Sequence, residues 1–357
     1  MNLQGLRGML IVDKFESPLW RTASSHAKNR NCQVVAAMDY FSPIKFLNYI
    51  RLKSPDYIVF MWREAFDAIN TSNLLKNKLI DIDPFIFILI PDYLNANTFS
   101  DTEQRRIEQS DGVFVTCLDL FEKYSNVYRP KFLKILHDIP DLEIIEDINQ
   151  KTFLVNRNKI IWVGNSKWGE RFGFKDHKGL KKFAIPMVQI IQEKQNNLKF
   201  QIIDSAVKKI SNHSVLNEIS NSACLIVTSD SEGTGLCILE AAALGTPVVT
   251  LDVGIAREIF CDDAESQISQ NDIGIFANKV LMTLKNHEKI SKQMRLSWLQ
   301  YFFKIQRDFE LIILPLKKEG NWRNENKAYD FKKYIKWHIR YLIYSANKLK
   351  DKLLQFS

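Results

Sequence analysis

The chain lacks any long apolar run. Its longest of note, Phe85 to Ile90, is closed off by Pro84 and Pro91 and falls far short of the roughly 20 residues that span a bilayer. No transmembrane helix is expected. Met1 to Gly8 has one arginine and no apolar core of signal-peptide length, so the expectation is a cytoplasmic protein. Cysteine is scarce: Cys32, Cys117, Cys224, Cys237 and Cys261 are odd in number, scattered and without a C-x-x-C pair. That argues against a disulfide framework or a zinc site and for reduced packing residues. The histidines, His26, His137, His177, His213, His287 and His338, show no ligand spacing. No repeat with a period of about 20 to 50 residues is present, which excludes a solenoid. Positive charge is not spread over the chain either. The net charge is +8, but Lys327 to Ser357 holds eight Lys or Arg against two acids, a net +6, and leaves the rest close to neutral. A generally basic nucleic-acid-binding surface is therefore not expected.

What is present is alternation. At 357 residues and 46% hydrophobic, the chain is long enough for two domains with separate cores. Short apolar runs at Met9 to Val12, Gln33 to Ala37, Tyr57 to Met61, Phe85 to Ile90, Gly112 to Thr116 and Phe132 to His137 alternate with helical patterns, the signature of a parallel sheet wrapped by helices. Ser17-Pro18 and Ser42-Pro43 place a hydroxyl at a helix cap and proline at the first helical position, and Ser100 offers a third capped entry. Residues 141–158 are polar and mixed in charge and read as a linker. Lys159 to Gly164 restarts the alternation, continued by Phe200 to Asp204, Cys224 to Thr228 and Pro247 to Leu251. Helices are expected over 179–195, 214–222, 236–244, 270–285 and 287–305. The class is α/β, with domains at 1–145 and 146–310 and a basic segment at 311–357. In that segment Phe331, Ile335, Ile339 and Leu342, and likewise Tyr334, Trp337, Tyr341 and Tyr344, follow helical spacing with lysines between them. Such a helix either packs back on the protein or lies on an anionic membrane surface.

The chemistry concentrates in residues 229–247, Ser-Asp-Ser-Glu-Gly-Thr-Gly-Leu-Cys-Ile-Leu-Glu-Ala-Ala-Ala-Leu-Gly-Thr-Pro. They read as a strand end, a turn and a short helix. Gly233 and Gly235 permit backbone conformations and close approaches that a Cβ would obstruct, and a helix begins near Leu236 and stops at Gly245. Its start presents unpaired N–H groups and a positive dipole end, which suits a phosphate. Glu232 in the turn and Glu240 in the helix supply carboxylates that accept hydrogen bonds from hydroxyls. The combination suggests a ligand with both phosphates and hydroxyls.

This stretch resembles the donor-binding motif of retaining glycosyltransferases of family 4, the glycosyl transferases group 1, on Glu232, Gly233, Gly235, Leu236, Glu240, Ala241, Gly245 and Pro247. The resemblance implies a GT-B fold, two facing Rossmann-like domains with parallel sheets and a C-terminal helical segment. It implies a nucleoside diphosphate sugar as donor, with Glu232 at the transferred sugar as the catalytic residue and Glu240 on the ribose hydroxyls. The backbone N–H groups of Gly235 and Leu236 would add to the diphosphate clamp, and Gly233 and Thr234 are further donor-binding residues. The family's Gly-Arg and Lys-Gly pairs correspond to Gly164-Asn165 and Lys178-Gly179, the second after an insertion rich in Lys, Trp and Phe. Lys178 is the expected phosphate ligand, with Lys167 and Arg171 as candidates for the charge that Asn165 does not supply. Where many relatives have a donor-contacting His, Phe85 to Ile90 ends in Pro91-Asp92, so Asp92 is the candidate there. The glycine-rich loop expected after the first strand is replaced by Asp13-Lys14-Phe15-Glu16-Ser17, and Val253 to Glu258 keeps one Gly and the Glu of the family's late motif. Retention in this family is described as front-face attack assisted by the leaving phosphate, so no separate protein base is required. Asp81-Ile82-Asp83 matches a metal-binding Asp-x-Asp, but it precedes a strand-like run instead of following one, and neither a metal nor another cofactor is expected.

The expected function is hexosyl transfer to a glycan or lipid-linked acceptor in bacterial surface polysaccharide or lipopolysaccharide synthesis, by a cytoplasmic enzyme peripheral on the membrane. The alternatives are another GT-B nucleotide-sugar enzyme such as an epimerase, and a non-catalytic GT-B scaffold.

Overall fold

The computed structural model describes residues 7–28, 31–40, 42–70, 84–92, 99–150, 156–260 and 267–313. Two compact units account for them. One holds β1 to β6; the other holds β7 to β11, begins at His137 and also takes in Cys117–Leu120.

In the first unit the strands are β1 Gly8–Val12, β2 Cys32–Ala36, β3 Tyr57–Phe60, β4 Phe85–Ile90, β5 Gly112–Val115 and β6 Leu133–Ile135. They form one parallel sheet in the order β2-β1-β3-β4-β5-β6. β1, β3 and β5 are buried along their whole length and β4 for all but its first residue, which is why they read as continuous apolar runs without alternation. Helices α1 Pro18–Ala27, α2 Pro43–Lys53, α3 Arg63–Asn70, α4 Asp101–Glu108 and α5 Leu118–Val127 fill the crossovers. The expected caps form: Ser17, Ser42 and Ser100 side chains accept from the N–H groups of Trp20, Lys45 and Glu103 at 3.1, 3.3 and 3.4 Å.

The second unit opens with α6 Leu142–Gln150, inside the stretch whose polarity suggests a linker. Ile145 and Ile148 are buried, and α6 packs on α8 Asn212–Ser220 and α9 Leu236–Leu244. Two apolar residues on one face were enough to make this short helix part of the core. Strands β7 Asn156–Gly164, β8 Lys199–Asp204, β9 Ser222–Val227, β10 Val248–Leu251 and β11 Ile268–Ser269 form a second parallel sheet in the order β11-β10-β9-β7-β8. β11 is two residues long, below what an apolar pattern reveals.

The helix expected over 179–195 forms, with a π-helical first turn. Gly179 is left-handed, a π-helical turn follows at Leu180–Ala184 and passes directly into α7, Ile185–Lys194. α10 Ala256–Ile259 follows β10. α11 Ile273–Lys285 is capped by Asp272, whose side chain accepts from Ile275 N at 2.8 Å, and α12 runs His287–Ile313. The expected tail helix beyond α12, Asp81 to Asp83 and Cys261 lie outside the described residues. Among the described residues no helix is long and apolar enough to cross a membrane.

β7 sits between β8 on one side and β9 on the other. The chain leaves β7 for β8 and then returns past it to β9, so the strand order reverses there. Ligands of open α/β sheets bind beyond the carboxyl ends of strands at such a switch point.

Candidate active site

Two segments emerge from the carboxyl ends of β7 and β9. After β7 the chain passes Gly164 and Asn165 into the loop 165–179, and after β9 it passes Thr228 into the turn Ser229–Gly235. A chain of side-chain bonds zips them. Trp162 Nε1 donates to Thr228 Oγ1 at 3.2 Å, and that hydroxyl donates to the Lys178 carbonyl at 2.9 Å. Asp230 N–H donates to the His177 carbonyl at 2.9 Å. The fit is tight where glycines stand. A Cβ on Gly179, at φ +68, would lie 2.1 Å from the Thr228 carbonyl oxygen, and one on Gly164 would meet the Trp162 ring at 2.7 Å.

This places Lys178 against the motif. Its ammonium donates to Glu232 Oε1 at 2.5 Å, and the two side chains are only 17% and 13% exposed. Ser229 Oγ donates to the same carboxylate oxygen at 2.5 Å. The Trp168 ring centroid lies 5.5 Å from the ammonium, within cation–π range. Trp168 in turn packs on His177 and Phe174 at 4.7 and 6.1 Å between centroids. Burial, and then the neighbouring Lys178 charge, hold the His177 imidazole below its usual pKa, so it stays neutral beside the lysine.

Glu232, Gly233 and Thr234 make the turn, and Gly235, at φ +78, caps α9 with no side-chain bond. Ile238 N–H donates to the Gly235 carbonyl at 2.8 Å, and the partial positive charge of the first turn of α9, which begins at Leu236, stands at the switch point four residues after Glu232. Glu240 lies in the buried interior of α9, 6% exposed. Burial, followed by the Glu232 and Glu240 charges, pushes the Cys237 thiol up to about 12, which keeps it a neutral packing group. From behind, Ile255 N–H donates to the Thr234 carbonyl at 2.8 Å. A Cβ on the left-handed Gly254, φ +56, would meet that oxygen at 2.3 Å. The one glycine kept from the expected late motif thus presses the turn into place.

Asp138, His137 and Asp204 carried no signal in the sequence, whereas Glu258, which His137 meets, is the Glu kept from the expected late motif. Asp138 accepts from Thr234 Oγ1 at 2.5 Å, and burial raises its carboxyl to about 6. Glu258 accepts from Leu118 N–H at 2.7 Å and pairs with His137 Nε2 at 2.7 Å. Asp204, at the end of β8, accepts from Ser166 N–H and Oγ at 3.0 and 2.6 Å. Burial alone would raise Asp204; the bonds from Ser166 and Ala206 outweigh it and hold the carboxyl below the usual range. Their partners are distant in sequence, so no local spacing announces them.

The remaining expected residues are less central. The Asn165 side-chain oxygen accepts from Lys167 N–H at 3.0 Å, a local turn bond. Lys167 is exposed, and the Arg171 side chain is outside the described residues. Asp92 belongs to the first unit, where Arg63 pairs with it at 2.7 Å. The structure brings together Lys178, Glu232, Gly235 and Leu236, and adds Trp168, Thr228 and Ser229. Among the described residues no group of three or more His, Cys, Asp or Glu is arranged to hold a metal ion.

Residues 189–297 match the family model described as glycosyl transferases group 1; the match contains the motif turn and α9 and begins after Lys178. No curated protein matches the sequence. Among solved structures the chain is similar to sucrose-phosphate synthase from Thermosynechococcus elongatus, with 13% identity over 87% of this chain and 99% of that one at a TM-score of 0.55. It is similar to Anabaena Alr3699/HepE in complex with UDP and glucose, with 13% identity, 87% and 100% coverage and a TM-score of 0.58. An E. coli trehalose-6-phosphate structure bound with UDP-2-fluoro glucose gives 13% identity, 88% and 99% coverage and a TM-score of 0.56. With two parallel sheets each flanked by helices, the chain has the GT-B fold, and its second unit carries the glycosyl transferases group 1 match at the switch point of its sheet.

Proposed function

We propose that the protein is a retaining glycosyltransferase of family 4 that moves a hexose-type sugar from a nucleoside diphosphate sugar to a glycan or lipid-linked acceptor. The observation that carries this reading is the Lys178–Glu232 pair, 2.5 Å apart, beside the uncapped start of α9 at the switch point. A cation and first-turn backbone N–H groups meet the negative charge that grows on a departing diphosphate, while a carboxylate held next to them accepts from sugar hydroxyls. Lys178 would exchange Glu232 for the diphosphate, Gly235 and Leu236 N–H groups would complete the clamp, and Glu240 would hold the ribose. The solved structures with UDP and glucose, and with UDP-2-fluoro glucose, support UDP-sugars as the first donors to try. Bacterial surface polysaccharide or lipopolysaccharide synthesis at the cytoplasmic face of the membrane is the setting we propose.

A panel of UDP-, GDP- and dTDP-sugars tests the proposal by calorimetry and by release of free nucleotide. The expected result is selective binding of one nucleotide with slow hydrolysis in the absence of acceptor. No binding to any member refutes the reading. Binding with no turnover to water or to any acceptor would favour a scaffold, consistent with Asn165 standing where the family has Arg.

A further inference from the structure

Helix α12 has two chemically opposed faces. Ile290, Met294, Trp298, Tyr301 and Ile305, spaced by three and four, are buried and face their own unit. On the opposite side Leu296, Leu299 and Phe303 are 59%, 47% and 68% exposed. Single exposed apolar side chains are ordinary, but these three fall on one line of the helix, at i, i+3 and i+7. Lys289 and Lys292 continue the same line one to two turns earlier, and Arg295 and Lys304 flank it; all four are exposed. Between residues 288 and 304 the only acid is Glu288.

We propose that this face of α12 docks on the surface of an anionic phospholipid bilayer. Lys289 and Lys292 would meet the lipid phosphates while Leu296, Leu299 and Phe303 enter the boundary between headgroups and acyl chains, the arrangement of a helix lying in the interfacial plane. From Leu296 to Phe303 the stripe is about 10 Å long at the helical rise, too short for a bilayer to be crossed and long enough for one to be gripped. Charge chooses this occupant over the others. A second copy of the chain laid on this face would bring the same lysines and, over 288–304, no acid but Glu288 to pair with them. The chain's own last 31 residues, at net +6, would be repelled in the same way. An anionic lipid surface attracts each of these side chains. The inference does not depend on the donor reading.

Co-sedimentation of the full chain with vesicles tests it, using equal parts phosphatidylglycerol and phosphatidylcholine against phosphatidylcholine alone. Binding is expected to the anionic vesicles, falling as salt is raised. Lys289→Glu with Lys292→Glu should weaken it by about tenfold or more, and Leu299→Ser with Phe303→Ser should weaken it comparably. Both pairs should keep the wild-type melting temperature, because the altered side chains are exposed. Lys208→Glu with Lys209→Glu, which makes the same charge change on an exposed loop, should leave binding near wild type. Equal binding to neutral vesicles overturns the proposal. So does wild-type binding by the α12 variants while Lys332→Gln, Lys333→Gln and Lys336→Gln abolish it. A dimer in sedimentation velocity that Leu299→Ser with Phe303→Ser dissociates, with lipid binding intact, also overturns it.

Discussion

The ammonium of Lys178 rests on the carboxylate of Glu232, and on the proposed reading a diphosphate must compete for it. The 2.5 Å contact lies between side chains 17% and 13% exposed. At an effective dielectric near 20, opposite charges about 4 Å apart attract by roughly 4 kcal/mol, most of which is offset by the desolvation of both groups. A charge-assisted bond from Lys178 to a diphosphate contributes about 1.5–3 kcal/mol. Lys178→Ala should therefore raise the Kd for the nucleoside diphosphate by roughly 10- to 150-fold. The same change should cost stability by about 1 kcal/mol, because Ser229 still donates to Glu232. Glu232→Gln removes the competitor. It should leave nucleoside diphosphate affinity unchanged or tighter by a few fold, while abolishing most of the extra affinity conferred by the sugar and most of the turnover. Calorimetry with nucleoside diphosphate and with the matching nucleotide sugar, on both single variants and the double variant, separates these effects. A Lys178→Ala protein that melts normally and binds the nucleoside diphosphate within twofold of wild type refutes the reasoning. So does a Glu232→Gln protein with wild-type turnover.

Gly179→Ala should destabilise by about 3 kcal/mol or more, since a left-handed φ costs an L-residue roughly 1–2 kcal/mol before the 2.1 Å approach to the Thr228 carbonyl is counted. Gly173→Ala, at φ +87 with nothing within 4 Å, should cost only the backbone term of about 1–2 kcal/mol, and urea titrations of the two variants compare them directly. Asp138, raised from 3.8 to about 6 by burial, binds its proton more tightly in the folded chain than in the unfolded one. Its contribution to stability is thus full below pH 4 and is lost as pH rises to 6. Asp138→Asn should remove that slope, so the variant's stability relative to wild type should improve by about 2 kcal/mol between pH 4 and pH 7, as measured by urea unfolding at each pH; a flat difference would refute the assignment. In the first unit, Glu103 is fully buried and accepts from Arg63 Nη1 at 3.1 Å, Arg106 Nη1 at 2.5 Å and Tyr124 Oη at 3.3 Å. Glu103→Ala should cost about 3–5 kcal/mol by leaving guanidinium charge under-compensated, with Glu103→Gln costing less, as read by chemical denaturation.

The sequence by itself determined the α/β class, all but the shortest strand, and the motif turn with its helix from Leu236 to Gly245. Those features are local. A fully buried parallel strand must be apolar along its length, and a helix start at a left-handed Gly235 needs glycine at that one position. Ser17, Ser42 and Ser100 were legible as caps for the same reason, because a cap and the N–H it satisfies lie three residues apart. The tertiary structure decided what local patterns do not encode. Only the strand order puts β7 between β8 and β9 and so makes the ends of β7 and β9 a switch point. Lys178 and Glu232 are 54 residues apart and meet because Gly179 lets the backbone pass against Thr228. Asp138 reaches Thr234 across 96 residues and His137 reaches Glu258 across 121. Asp138 and His137 are placed by packing over those distances, where sequence spacing sets no geometry, and that is why the motif with Lys178, Gly254 and Glu258 was readable while Asp138 and His137 were not.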